Sequence, residues 1–211
     1  MPTTSAVLLA TTLLGWTASA GYALHLFQRL HTDPLTGLGN RAILESIARR
    51  AARSRHGGSV GLLLLDLDRF KTINDTHGHA VGNHVLRVLA ARLTAARRPG
   101  EFPIRLHGDE FALWLGFLPS GARGRQLAAQ RAGEIRRVLA EPITVAGTRL
   151  SIAASIGAHI LPAAGLPLPA LLAGADAAMY TAKRGGRLSS LPVTGRLRDH
   201  HNHDRTERDS A

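Results

Sequence analysis

The stretch RLHGDEFALWL, Arg105–Leu115, sets two acidic residues, Asp109 and Glu110, between a glycine turn and a continuous apolar run. The runs Phe102–Leu106 and Phe111–Phe117 both have the β-branched and aromatic character of strands. The connection HGDE is short enough to make them a hairpin with the acids at its tip. A second acidic pair, Asp66 and Asp68, closes the run VGLLLLD from Val60, which has the unbroken apolarity of a strand buried on both faces. A carboxylate at the end of such a strand is costly unless something uses it, although Asp also serves there as a turn or helix cap. If the two strands are neighbours in one sheet, the carboxylates converge. Carboxylate oxygens without His or Cys suit Mg²⁺ or Mn²⁺, ions that bind nucleotide phosphates and lower the barrier to displacement at phosphorus.

Outward from these strands, helical patterns are expected over Arg41–Arg55, Gly82–Arg97, Arg123–Leu139 and Leu168–Lys183. A second hairpin is expected from Ile143–Val145 and Arg149–Ala158, turning at Ala146-Gly147. FKTINDTHGHAVGN reads as a polar loop after Asp68. Its Asn74 and Asn83 carry amides able to read a base edge, and Lys71, Lys183 and Arg187 offer charge to phosphates. Asn in a loop is also an ordinary turn former, and surface Lys is often merely solvated. Strands and hairpins alternating with helices point to one α/β (α+β) domain over residues 31–189, a central mixed, mostly antiparallel sheet surrounded by helices.

The chain of 211 residues is 45% hydrophobic, enough for a sizeable core, and it lacks cysteine, which excludes disulfides and thiolate metal sites. The formal net charge is +11. The arginines are scattered and aromatics are few, so no nucleic-acid surface is expected. Ser5–Phe27 holds no charged residue and is long enough to span a bilayer as a helix. Arg29 and further arginines follow it, placing the domain on the cytoplasmic side of the inner membrane as a single-pass protein anchored by residues 1–30. Ala18-Ser19-Ala20 resembles a signal-peptide cleavage site, but the charged leading region is absent and the apolar run continues past it. Residues 190–211 are polar and expected to be disordered. Their His200, His201 and His203 read as a solvated tail rather than a metal site.

DPLTGLGNR, DLDRFKTINDTHGHAVGN, RLHGDEF, SIAASIGA and ADAAMYTAKRGGR occur in the order and spacing of the GGDEF family, the diguanylate cyclases. The resemblance covers nearly all of residues 31–187. It implies a sheet similar to the palm of class III nucleotide cyclases, and condensation of two GTP into cyclic di-GMP with release of two pyrophosphates. It further implies that Asp66, Asp109 and the backbone carbonyl of Leu67 hold Mg²⁺ or Mn²⁺. Asp109 or Glu110 would help deprotonate the attacking ribose hydroxyl. Asn74 and the residue at 83 would bind guanine, and Lys183 and Arg187, helped by Lys71, would contact phosphates close to His107 and Gly108. Each domain takes one GTP, so catalysis implies a homodimer, whose effective concentration a dimerising helix would raise.

Three positions depart from the pattern. His107 replaces the leading glycine of the signature, a place where unusual backbone angles or room for phosphate are expected. Asn83 stands where the family has Asp, and an amide cannot accept from both guanine N1–H and the 2-amino group. The inhibitory RxxD motif appears as Arg98-Pro99-Gly100-Glu101, which also reads as a plain surface turn. The expected function is diguanylate cyclase, with a catalytically impaired module that binds GTP or a protein partner as the alternative.

Overall fold

The structure is a computed structural model that describes residues 15–22, 30–55, 57–145 and 147–185. Its elements follow in the order α1 (Arg41–Ala52), β1 (Ser59–Leu67), α2 (Phe70–His77), α3 (His79–Ala96), β2 (Phe102–His107), β3 (Glu110–Leu118), α4 (Gly121–Leu139), β4 (Ile143–Val145), β5 (Thr148–Leu150), β6 (Ala154–Pro162) and α5 (Leu168–Gly185). A four-stranded sheet runs β2-β3-β1-β6, and β4 and β5 form a separate two-stranded ribbon. All pairings between named strands are antiparallel; an isolated parallel bridge joins Gly39 to Ile104.

β1 is apolar from Val60 to Leu65 because it is central in both directions. β3 and β6 flank it in the sheet, and helices cover both of its faces. Alternation divides its side chains between two cores. Leu63, Leu65 and Leu67 pack with Phe111 and Leu113 of β3 under α3 and α4. Leu62 and Leu64 pack with Ala112 and Trp114 under α1 and α5. Asp66 continues the second set beyond the end of the apolar run, and that parity puts it on the α5 side.

Several expectations need correction. FKTINDTH is not a loop but the helix α2; with Phe70 alone buried, it lacks the apolar stripe that sequence periodicity detects. α3 begins at His79, three residues before the expected start, because the break falls at Gly78 (φ +83°). The expected strand Arg149–Ala158 is two elements. Thr148–Leu150 closes the β4 hairpin, and β6 starts at Ala154 in the main sheet. α1 is capped by the Asn40 carboxamide oxygen, which accepts from the N–H groups of Ala42 and Ile43.

The membrane expectation is overturned. Among the described residues no helix is long and apolar enough to cross a membrane. Within the expected span, residues 15–22 are described, and they are helical. The single-pass inner-membrane placement is withdrawn accordingly. Arg187 and residues 190–211, with their histidines, lie outside the described residues.

Candidate active site at the end of the sheet

The register of the sheet brings the acids together. Asp66, at the end of β1, lies opposite Glu110, the first residue of β3, and on its other side opposite Ser155 of β6. Directly opposed residues share a face, so the three side chains stand towards α5. α5 supplies Lys183, whose Nζ lies 2.7 Å from Asp66 Oδ1. The helix comes this close because β6 carries Gly157 beneath it. A Cβ there would stand 2.1 Å from the Ala175 carbonyl oxygen and 2.2 Å from the Met179 nitrogen. Asp68 is held by Ser155, whose Oγ–H donates to Asp68 Oδ1 at 2.7 Å.

The electrostatics record crowded negative charge. Burial raises the Glu110 acid; Asp66, Asp176 and Asp109 raise it further, against the opposing pull of His107. Lys183 is held above the usual ammonium range. Burial works against its charge, but the hydrogen bond and charge of Asp66, with Asp68 and Asp109, outweigh it. Asp176 was missed from the sequence. It lies seven residues before Lys183 on α5, two turns along the same face, a spacing that could have found it. Among the described residues no three His, Cys, Asp or Glu side chains form a ready metal cage. The donors that do converge are carboxylate oxygens with excess negative charge, a set that fits a hard divalent cation.

The hairpin tip is braced from behind. The Arg105 guanidinium donates to the Gly108 carbonyl at 3.0 and 2.7 Å and to Asp33 at 3.0 and 3.2 Å. Asp33 also accepts from the N–H and hydroxyl of Thr36, so DPLTGLGN is one unit with the hairpin. Burial alone would raise the Asp33 acid, but the bonds from Thr36 and Arg105 lower it on balance. On the other flank, α2 begins three residues after Leu67 and carries Lys71, exposed, and Asn74. The Asn74 carboxamide oxygen rests over Gly82 of α3, where a Cβ would meet it at 1.9 Å. Asn83 follows on the exposed side of α3.

An antiparallel sheet with register-paired acids at one end, an ammonium from the last helix and a braced acidic hairpin is one arrangement of the five sequence motifs. The profile of the diguanylate cyclase GGDEF domain family matches residues 30–189. This chain belongs to the GGDEF family. The family is that of the diguanylate cyclases, nucleotidyltransferases. Diguanylate cyclase TpbB of Pseudomonas aeruginosa is 40% identical over 165 residues, which are 77% of this chain and 37% of TpbB. The GGDEF chain thus spans little more than a third of that relative. The 19.3 kDa protein of the repSA 5′ region of Streptomyces ambofaciens is 39% identical over 195 residues, 91% of this chain and 98% of that protein. Among solved structures, the coiled coil and GGDEF domain of DgcB from Caulobacter crescentus, in complex with c-di-GMP, superposes with a TM-score of 0.74 at 29% identity. The match covers 86% of this chain and 95% of that one.

Two departures take on a different character in this GGDEF domain. His107 ends β2 without a left-handed backbone. Among the described residues Arg69 is the one non-glycine with positive φ, and at the hairpin the left-handed residue is Gly108 (φ +49°). The substitution therefore carries no backbone strain. The imidazole is exposed, and its Nε2 lies 3.1 Å from Glu110 Oε2. The turn Arg98–Glu101 is also more than a surface feature. Glu101 is buried and accepts from the Arg98 N–H and from Arg131 Nε and Nη2 at 2.7–2.8 Å. The Arg98 guanidinium is held by both oxygens of Glu134. The acid of the expected inhibitory site is thus employed inside the fold.

Proposed function

We propose that this protein condenses two molecules of GTP into cyclic di-GMP, releasing two pyrophosphates, with two GGDEF domains face to face as a homodimer. The observation that carries the reading is the pairing of Asp66 with Glu110 on adjacent strands, with Lys183 Nζ at 2.7 Å from Asp66. In this reading Asp66, Asp109 and the Leu67 carbonyl hold Mg²⁺ or Mn²⁺. A divalent ion there neutralises phosphate charge and polarises the phosphoryl oxygens. Glu110, kept half-buried and basic for a carboxylate, takes the proton of the attacking 3′-hydroxyl. Lys183 exchanges its partner Asp66 for the incoming phosphates, with Arg187 and Lys71 beside it and His107 and Gly108 on the hairpin side. Asn74 and Asn83 receive guanine. The remaining requirement is placement, which dominates phosphoryl transfer.

A second reading, a module that binds GTP or a protein partner without turnover, is favoured by the amide at Asn83, which cannot copy a carboxylate's two acceptors. One assay separates them. Purified protein incubated with GTP and Mg²⁺ or Mn²⁺ is expected to yield cyclic di-GMP by mass spectrometry. Asp109→Ala is expected to lower the yield by about 100-fold or more. Product that persists in Asp109→Ala removes the assigned site. GTP binding without product under either metal favours the second reading, and Asn83→Asp and His107→Gly then identify which departure is responsible.

A further inference from the structure

The turn that leaves β1 is tied to β6 twice at one residue. The Asp68 N–H donates to the Ala153 carbonyl at 2.9 Å, and Asp68 Oδ1 accepts from the Ser155 hydroxyl at 2.7 Å. Ser155 is buried, at 7% exposure, so its hydroxyl has little water to turn to. The next residue, Arg69, is the left-handed non-glycine among the described residues, at φ 59°. Such a conformation persists only where its surroundings enforce it.

The clamp has a directional consequence. The described chain has no cis peptide, and in a trans peptide the N–H and the preceding C=O point opposite ways. Because the Asp68 N–H is committed to β6, the Leu67 carbonyl points away from β6, towards the β3 side. There the ladder has already ended at the Asp66–Glu110 pair, and the next residue of the hairpin is Asp109. Rotation of the 67–68 peptide is opposed by the N–H tie itself, and the Ser155 bond keeps Asp68 seated against β6, where that N–H reaches Ala153. Unlike Asp66, which meets an ammonium, Asp68 spends an oxygen on this tie.

We propose that Ser155 is a positioning residue: by holding Asp68 it aims the Leu67 carbonyl at the side of the sheet where Asp66 and Asp109 meet a divalent cation. The inference rests on the cyclase reading of that site and assigns a role to SIAASIGA that no substrate contact supplies. It makes Ser155 an outer partner of a ligand, a class whose loss costs about 10- to 100-fold in metal affinity.

The test is Mn²⁺ binding by the full chain, followed by electron paramagnetic resonance with a non-hydrolysable GTP analogue present and the nucleotide-only signal subtracted. Ser155→Ala is expected to weaken protein-dependent Mn²⁺ binding by about tenfold or more, and Ser155→Thr, which keeps the hydroxyl, to restore it. Asp68→Asn, which keeps an oxygen acceptor for Ser155, is expected to stay within about threefold of wild type, whereas Asp68→Ala follows Ser155→Ala. If Ser155→Ala does not fold, the contrast between the two Asp68 variants carries the test. Wild-type affinity in Ser155→Ala, or equal losses in Asp68→Asn and Asp68→Ala, overturns the inference and leaves the cyclase reading standing. Failure of the wild type to bind Mn²⁺ overturns both.

Discussion

Glu110 is an acid kept where its charge is unwelcome, and this has a measurable sign. Its folded-state acid is raised by burial and by Asp66, Asp176 and Asp109, so the folded protein holds the proton more tightly than the unfolded chain. The stability it contributes is fully present below the ordinary glutamate range and is lost as pH rises through the folded-state value. Glu110→Gln is therefore expected to raise Tm at pH 7 while abolishing cyclase activity, and the gain should shrink as the melt is repeated towards pH 4. A Tm gain independent of pH would contradict the assignment. His107 offers a gentler case. Its exposed contact with Glu110 is worth about 1 kcal/mol or less, so His107→Gly should leave Tm within about 4 °C. A large loss would show a structural role for the imidazole. At this scale the sequence drew attention to Asp66, Asp109 and Glu110, because ionisable groups beside an apolar run stand out. It gave no such signal for Ser155 and Asp176, whose place beside those acids depends on which strand or helix face comes to rest opposite them.

Between elements, two joints hold the site in shape. The first is the α5–β6 contact at Gly157, where the helix backbone lies within reach of any added side chain. Gly157→Val forces α5 away. The expected cost is about 1–3 kcal/mol and, because Lys183 travels with the helix, a loss of activity near 100-fold. Normal turnover in a folded Gly157→Val protein would argue against the placement of Lys183. The second joint is buried and ionic. Arg131 of α4 meets Glu101 ahead of β2, and the pair is enclosed. Glu101→Leu removes one of the guanidinium's two carboxylate partners and leaves Glu134, so it should cost about 1–3 kcal/mol in urea unfolding. Adding Arg131→Met to it should restore most of the loss. A single variant as stable as wild type would contradict a stabilising role for the contact. Periodicity disclosed α1, α3, α4 and α5, since each buries a stripe. It failed for α2, which buries Phe70 alone, and it ran β5 into β6 because a change of strand partner leaves no mark on alternation.

Across the whole molecule, the cyclase reading requires two copies. Specific activity should rise with protein concentration before levelling off, and a flat profile at low concentration would exclude assembly from separate monomers. The alternating pattern of strands and helices was enough to name an α/β layered fold, and the ordered motifs were enough to name the family. The membrane span expected from the apolar N-terminal segment has no counterpart among the described helices, none of which is long and apolar enough to cross a bilayer. The strand order β2-β3-β1-β6 has a consequence in time. Asp66, Asp109 and Glu110 all leave the ribosome before β6 can close the sheet over β1, and the ammonium that offsets Asp66 is carried by α5, later still in the chain. During synthesis the acids are therefore present without their counter-charge or their second strand partner. A chain that ends before α5 keeps β6 but lacks Lys183 beside Asp66, and it is expected to show no turnover.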